Sequence, residues 1–143
     1  MSSSEISVQL TEQQLQKAPD SDYMNTDQLA FFKNKLLELY ASTNLRIQEA
    51  KDQMVKPFDD LSDPNDRASW EERSSVAFRI ADREQNLLPK IDKALERIRL
   101  GTYGYCLESD EPIGIPRLLA RPTADYCAEI KEIQELKETR YIY

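Results

Sequence analysis

Gly104-Tyr105-Cys106-Leu107-Glu108-Ser109, followed after seventeen residues by Cys127-Ala128-Glu129-Ile130, has the outline of a zinc ribbon with half of its ligands gone. The spacing is C-x2-S-x17-C-x2-I where a metal module would carry four cysteines. Structural zinc takes four thiolate or imidazole ligands in a tetrahedron. This chain has two cysteines and no histidine, and it puts Ile130 at one of the vanished positions. The stretch therefore reads as a metal-stapled fold that persists without its metal.

Around this stretch, glycines and prolines cluster between 101 and 122, with β-favouring Tyr103, Tyr105, Ile113 and Ile115 among them. That pattern predicts two short hairpin strands, then a helix from Thr123 to about Arg140, with Thr123 as N-cap just after Pro122. Upstream lie two long helical patterns. Thr26 is an N-cap candidate, and Leu29, Phe32, Leu36, Leu39, Thr43, Ile47, Ala50 and Met54 follow in steps of three and four. Pro57 and Asp59-Asp60 end that stripe. A second begins at Asp63-Pro64 and carries Trp70, Ala77, Ile80, Leu87, Ile91, Ala94 and Ile98. Two long helices with narrow apolar seams and a short polar joint predict an antiparallel coiled-coil hairpin. At 1.5 Å per residue, helices of about 30 residues extend roughly 45 Å. Pro89 removes a backbone hydrogen bond to Gln85 and predicts a kink, at a local cost of about 3 kcal/mol.

The expected fold is mainly α. Residues 1–25 form a flexible N-terminal arm, with at most a short helix at Thr11-Glu-Gln-Gln-Leu-Gln. Residues 26–100 form the coiled-coil hairpin, its tip near 59–68. Residues 101–143 form a small globular part with degenerate zinc-ribbon-like hairpins and a C-terminal helix. Charged residues make up 31% of the chain and the net charge is −7, so specific duplex DNA binding is not expected. No apolar run approaches the roughly 20 residues that span a bilayer. The low cysteine count and the lack of a recognisable signal peptide point to a reducing, cytoplasmic setting, and the chain reads as a monomer.

Gly104-Tyr-Cys106, Ile113-Gly-Ile115, Arg117-Leu118 and Ala120-Arg-Pro-Thr-Ala-Asp125 before Cys127 resemble the C-terminal region of the DksA/TraR family of RNA polymerase-binding transcription factors. The likeness continues through Tyr23-Met24-Asn25, Gln28-Leu-Ala30 and Asp63-Pro-Asn-Asp66-Arg-Ala68, and leaves out only the first twenty residues or so. Ser109 and Ile130 at cysteine positions, and Pro89 in the second helix, depart from the family pattern. They point to a zinc-independent, cysteine-poor branch that requires no cofactor.

The resemblance implies that Asp63, Asp66 and Ala68 form a tip inserted through the polymerase secondary channel, with Arg79 and Arg83 on a polymerase-contacting face. It further implies a site for the effector ppGpp at Arg83, Leu87, Lys90 and Lys131. From the residues alone, Asp63 also suits a plain helix cap, since Asp at N-cap with Pro at N1 favours any helix start. Arg79, Arg83, Lys90 and Arg97 equally suit a solvated flank paired with Asp82, Glu84 or Glu96. Cys106 and Cys127 read as small buried hydrophobes, a two-thiol switch, or two ligands of a site completed by Glu108, Asp110 or Glu129. Without metal, packing through Tyr103, Ile115, Leu118, Ile130 and Ile133 must hold the module. No catalytic constellation is present, so an enzyme is not expected. The expected function is modulation of initiation together with ppGpp, repressing ribosomal RNA promoters and activating biosynthetic ones. A Gre-like transcript-cleavage stimulator, in which Asp63 and Asp66 hold Mg²⁺, and a coiled-coil adaptor are the rivals.

Overall fold

The computed structural model describes residues 10–55 and 62–142, so Pro57, Asp59, Asp60 and part of the expected tip lie outside the described residues. Thr11 opens α1 (Glu12–Lys17): its hydroxyl accepts from the Gln14 N–H, and the Gln14 side chain accepts from the Thr11 N–H. This reciprocal box satisfies two helix-end donors at once. Leu15 is only 1% exposed, so the short helix the sequence allowed at this point is packed through that residue. Its partner is a second short helix at residues 115–120. A 3₁₀ turn at Asp20–Asp22 then leads into the first long helix.

The long helix α2 spans Thr26–Met54. Its cap is Asn25 rather than Thr26. The Asn25 side chain accepts from the Gln28 N–H at 2.9 Å, and Gln28 Oε1 in turn accepts from the Met24 N–H at 2.9 Å. Every residue of the predicted stripe, Leu29 to Met54, is buried or half-buried. The second long helix, α3, spans Pro64–Leu100 and stays helical through Pro89. Pro89 and Gln85 are both exposed, so the carbonyl that loses its N–H partner faces water. Together α2 and α3 make the expected antiparallel hairpin.

The described chain divides into two compact units. One comprises the residues up to Leu36 and those from Lys93 onward, and the other comprises Leu37–Asp92. The second unit holds the later part of α2 and most of α3, with Ala50, Ala77 and Ala81 clustered in its core and Met54 and Ile80 packed beside them. Alanines let helix backbones approach closely, at the cost of little apolar area per layer.

In the first unit, Phe32 and Leu36 of α2 are fully buried with Tyr103 and Leu118. The Phe32 and Tyr103 rings lie 5.6 Å apart. The expected pair of hairpin strands is not formed among the described residues: a single antiparallel bridge joins Tyr105 and Pro112. Pro112 has no N–H with which to extend the ladder. Gly114, at φ 102°, then turns the chain into α4 (Ile115–Ala120), a helix the sequence reading missed, with Pro116 in its first turn. The C-terminal helix α5 spans Ala128–Ile142 and does not begin at Thr123. The intervening carbonyls are committed elsewhere: Asp125 O accepts from the Leu107 N–H, and Tyr126 O accepts from Arg117 Nε.

Candidate functional site

At the start of α3, Asp63 Oδ1 accepts from the Asn65 N–H at 2.9 Å, and the Asp63 carbonyl accepts from the Arg67 N–H. Asp63 is thus occupied as a helix cap. Asp66 and Ala68 are exposed one turn further on, and among the described residues the Asp66 carboxylate has no hydrogen-bond or ion-pair partner. A carboxylate in the first turn is favoured by the helix dipole without being consumed by the cap.

Arg79 and Arg83 are exposed on the same helix, and Lys90 is exposed beyond half-buried Leu87. Arg83 lies 3.8 Å from Glu84 Oε1, a loose contact that leaves its side chain 78% exposed. Arg97, read from sequence as part of the same basic stripe, serves the fold instead. Its guanidinium donates to the carbonyls of Thr102 and Tyr105, fastening the end of α3 to the turn that follows.

Lys131 belongs to the first unit. It lines a cavity of about 630 Å³ between α4 and α5, with Arg117, Ala120, Arg121, Ala128, Glu132 and Glu135. The three cations face two carboxylates, which leaves the cavity with a net positive lining. Arg117 is oriented by its hydrogen bond to Tyr126 O at 3.0 Å. Sequence reasoning took Lys131 alone. The signal for Arg117 and Arg121 was their four-residue spacing, which puts them on one face if the segment is helical.

The former metal positions stay close in part. Ser109 Oγ sits 4.0 Å from Cys127 Sγ, Cys106 is buried, and both cysteines are free thiols. Desolvation pushes the Cys106 thiol up, but hydrogen bonds from the Ser109 side chain and from the backbone at Cys127, Ser109 and Glu108 outweigh it. The net effect is a thiol lowered to about 7. Ile130 is half-buried, whereas Ile133, expected in the packing, is 49% exposed. Two thiols, a hydroxyl and an aliphatic side chain do not supply the four ligands that structural zinc requires. Among the described residues, no group of three or more His, Cys, Asp or Glu side chains is placed to hold a metal ion.

Tyr23 ties the N-terminal segment to this region. Its hydroxyl donates to the Gly104 carbonyl at 2.5 Å and accepts from the Gly114 N–H at 2.9 Å. Gly104, at φ 91°, is held to glycine twice over: a Cβ there would stand 2.7 Å from the Met24 side chain.

Two family models match in succession. One is described as the N-terminal domain of the DnaK suppressor protein DksA and covers residues 28–98; the other, the prokaryotic dksA/traR C4-type zinc finger, covers residues 101–132. The RNA polymerase-binding transcription factor DksA of Caulobacter vibrioides (strain NA1000 / CB15N) is 41% identical over 119 residues, spanning 83% of this chain and 84% of that protein. The protein of the same description from Escherichia coli (strain K12) is 39% identical over 127 residues, spanning 86% of this chain and 82% of its own. The solved structure of transcription factor DksA2 from Pseudomonas aeruginosa superposes with a TM-score of 0.73 at 42% identity, covering 90% of this chain and 98% of that one. By the matched family models and by relatives of this identity and coverage, the chain belongs to the DksA family, a family of transcription factors rather than enzymes.

Proposed function

We propose that this chain binds RNA polymerase directly and inserts its coiled-coil tip into the secondary channel, modulating initiation with ppGpp and without zinc. Ribosomal RNA promoters are repressed and some biosynthetic promoters activated. The observation that carries the reading is the division of labour at the start of α3. Asp63 is committed to the cap, while Asp66 in the first turn is exposed and has no partner among the described residues. An exposed carboxylate suits a role at a polymerase active centre, where it acts on metal or substrate charges. The same division weighs against a cleavage stimulator, which needs both carboxylates free to share a Mg²⁺. Arg79 and Arg83 contact the polymerase in this reading.

For ppGpp, the residues carried over are Arg83, Leu87, Lys90 and Lys131. The cavity shared by Lys131 with Arg117 and Arg121 supports phosphate binding on that unit's side. Zinc independence rests on the donor set, in which Ser109 and Ile130 replace two thiolates.

The test is in vitro transcription from a ribosomal RNA promoter with chelator-treated protein, with and without ppGpp. Repression strengthened by ppGpp is expected. Asp66→Asn should abolish the effect while leaving polymerase affinity intact. Loss of wild-type repression after chelation, with the protein unfolded, would overturn zinc independence. Stimulated cleavage of backtracked RNA would favour the rival.

A further inference from the structure

The centre of the second unit contains a charged residue where the seam calls for an apolar one. Along α3, Ala77, Ala81, Glu84 and Ile91 are buried in steps of four, three and seven, so Glu84 occupies a core position of the heptad pattern. It is 7% exposed. Its Oε2 accepts from Arg46 Nη2 at 3.2 Å across the hairpin, and the same Nη2 donates to Thr43 Oγ1 at 3.2 Å. Thr43 itself is fully buried. Arg83 also approaches Glu84, at 3.8 Å, but it lies on the same helix and moves with it.

The adjoining layer explains why such a group is useful. Ala50 of α2 packs with Ala77 and Ala81 of α3, which are identical residues one helical turn apart. A slip of α2 along α3 by one turn, about 5.4 Å, would return Ala50 to nearly the same surroundings. Alanine layers therefore discriminate poorly between registers. The polar layer does discriminate: the same slip carries Arg46 out of reach and leaves a buried carboxylate without its cross-hairpin partner, a strongly unfavourable state.

We propose that Thr43, Arg46 and Glu84 form a register lock, which fixes the axial position of α2 against α3 and thereby the placement of Asp66 at the tip. These are positioning residues, and their purpose is specificity rather than stability. Glu84 is buried while the Arg46 side chain is 41% exposed; replacing such a partly buried pair by apolar residues is often neutral or stabilising, so a lock and a mere stabiliser predict different results.

The experiment compares wild type, Arg46→Leu/Glu84→Leu and the swapped pair Arg46→Glu/Glu84→Arg, each carrying Ala50→Cys with Ala77→Cys and Ala81→Cys. Oxidation traps the thiol introduced on α2 with either of the two introduced on α3, and peptide mapping gives the ratio of the two disulfides in the free protein. The double-leucine variant should shift that ratio about fivefold or more, the population change that roughly 1 kcal/mol produces, and the swapped pair should restore it. In transcription assays without the added cysteines, a readout that rests on the polymerase reading above, the double-leucine variant should bind polymerase normally and regulate weakly. An unchanged disulfide ratio in a folded double-leucine variant would overturn the lock whatever transcription shows. A shifted ratio, with wild type inactive in transcription, would sustain the lock and reject the polymerase reading.

Discussion

Removing one oxygen atom, by Tyr23→Phe, should cost far more than a surface change. The phenol joins two backbone groups that are 81 and 91 residues away in sequence, the Gly104 carbonyl and the Gly114 N–H. Phenylalanine keeps the ring and its edge-on contact with Tyr105, whose centroid lies 5.5 Å away, so no large cavity opens. The loss is confined to two hydrogen-bonding groups. The Gly104 carbonyl keeps a second bond, from the Ile113 N–H at 2.8 Å, so the group left unmet is the Gly114 N–H, which is half-buried and recovers part of its bond from water. A buried unsatisfied group costs about 1–3 kcal/mol and a lost bond to a group with another partner costs less, so the change should cost about 1–2 kcal/mol. With a urea slope of about 2 kcal/mol/M, the midpoint should fall by roughly 0.5–1 M. The assay is urea unfolding followed by far-UV ellipticity, with amide exchange at Gly114 as the local probe. A midpoint within about 0.2 M of wild type, with Gly114 still protected, would refute the reasoning, because it would mean that the hydroxyl bridge carries no net free energy.

Pro89→Ala restores the N–H that α3 lacks at an exposed position, and it should raise the urea midpoint, with an upper limit of about 3 kcal/mol in stability; a lower midpoint would show that the helix depends on a bend there. Burial holds the Tyr23 and Tyr103 phenols above their ordinary pKa of 10.0, so the unfolded chain releases those protons first and stability, fully present below pH 10.0, should fall as pH rises through that value. Ultraviolet titration should find at least two of the seven tyrosines ionising late, together with unfolding, and a single uniform titration of the native protein would contradict this. Arg121→Ala should reduce the ppGpp response by about tenfold in effective concentration, as losing one charge-assisted contact to phosphate implies, and Lys90→Ala/Lys131→Ala, which removes two, should reduce it further; unchanged ppGpp titrations would remove the anion cavity from the proposal.

What could be read from sequence was what depends on neighbours within a few turns. The α2 stripe from Leu29 to Met54 was legible because helical periodicity and burial coincide there. Local competition defeated the placement of its cap. Asn25 with Gln28 three residues on is a capping signature, yet adjacent Thr26 looks equally suitable until the backbone is seen. Non-local chemistry was harder still. Glu84 looked like a surface partner for the basic flank, and only the approach of Arg46, 38 residues earlier, makes it part of the core. Arg97 looked like a surface charge until its guanidinium was found on the Thr102 and Tyr105 carbonyls. α4 is six residues long, too short for periodicity to show, and without it Arg117 and Arg121 could not be grouped with Lys131.

In the proposed zinc-independent reading, bonds other than those to a metal must hold the degenerate finger together. Four zinc ligands would connect the Cys106 turn to the Cys127 turn, and structural zinc supplies about 10–16 kcal/mol to a module of that kind. Here the corresponding links are the Leu107 N–H to Asp125 O at 2.9 Å, Tyr103 Oη to Pro122 O at 2.7 Å, and Arg117 Nε to Tyr126 O at 3.0 Å. Each nets about 0.5–1.5 kcal/mol, so three fall well short of the metal. The 4.0 Å approach of Ser109 to Cys127 adds little. Buried side chains must supply the difference, at about 1.5–3 kcal/mol for each large one. The buried ones are Tyr103, Cys106, Ile113 and Leu118 within the finger, and Leu15, Met24, Phe32 and Leu36 from the N-terminal segment and the start of α2. A substantial part of that apolar contribution thus comes from outside residues 101–132. In that reading, the region that zinc would stabilise from within depends in part on the N-terminal segment packed with it, and Tyr23, remote in sequence, ties that segment to the backbone at Gly104 and Gly114.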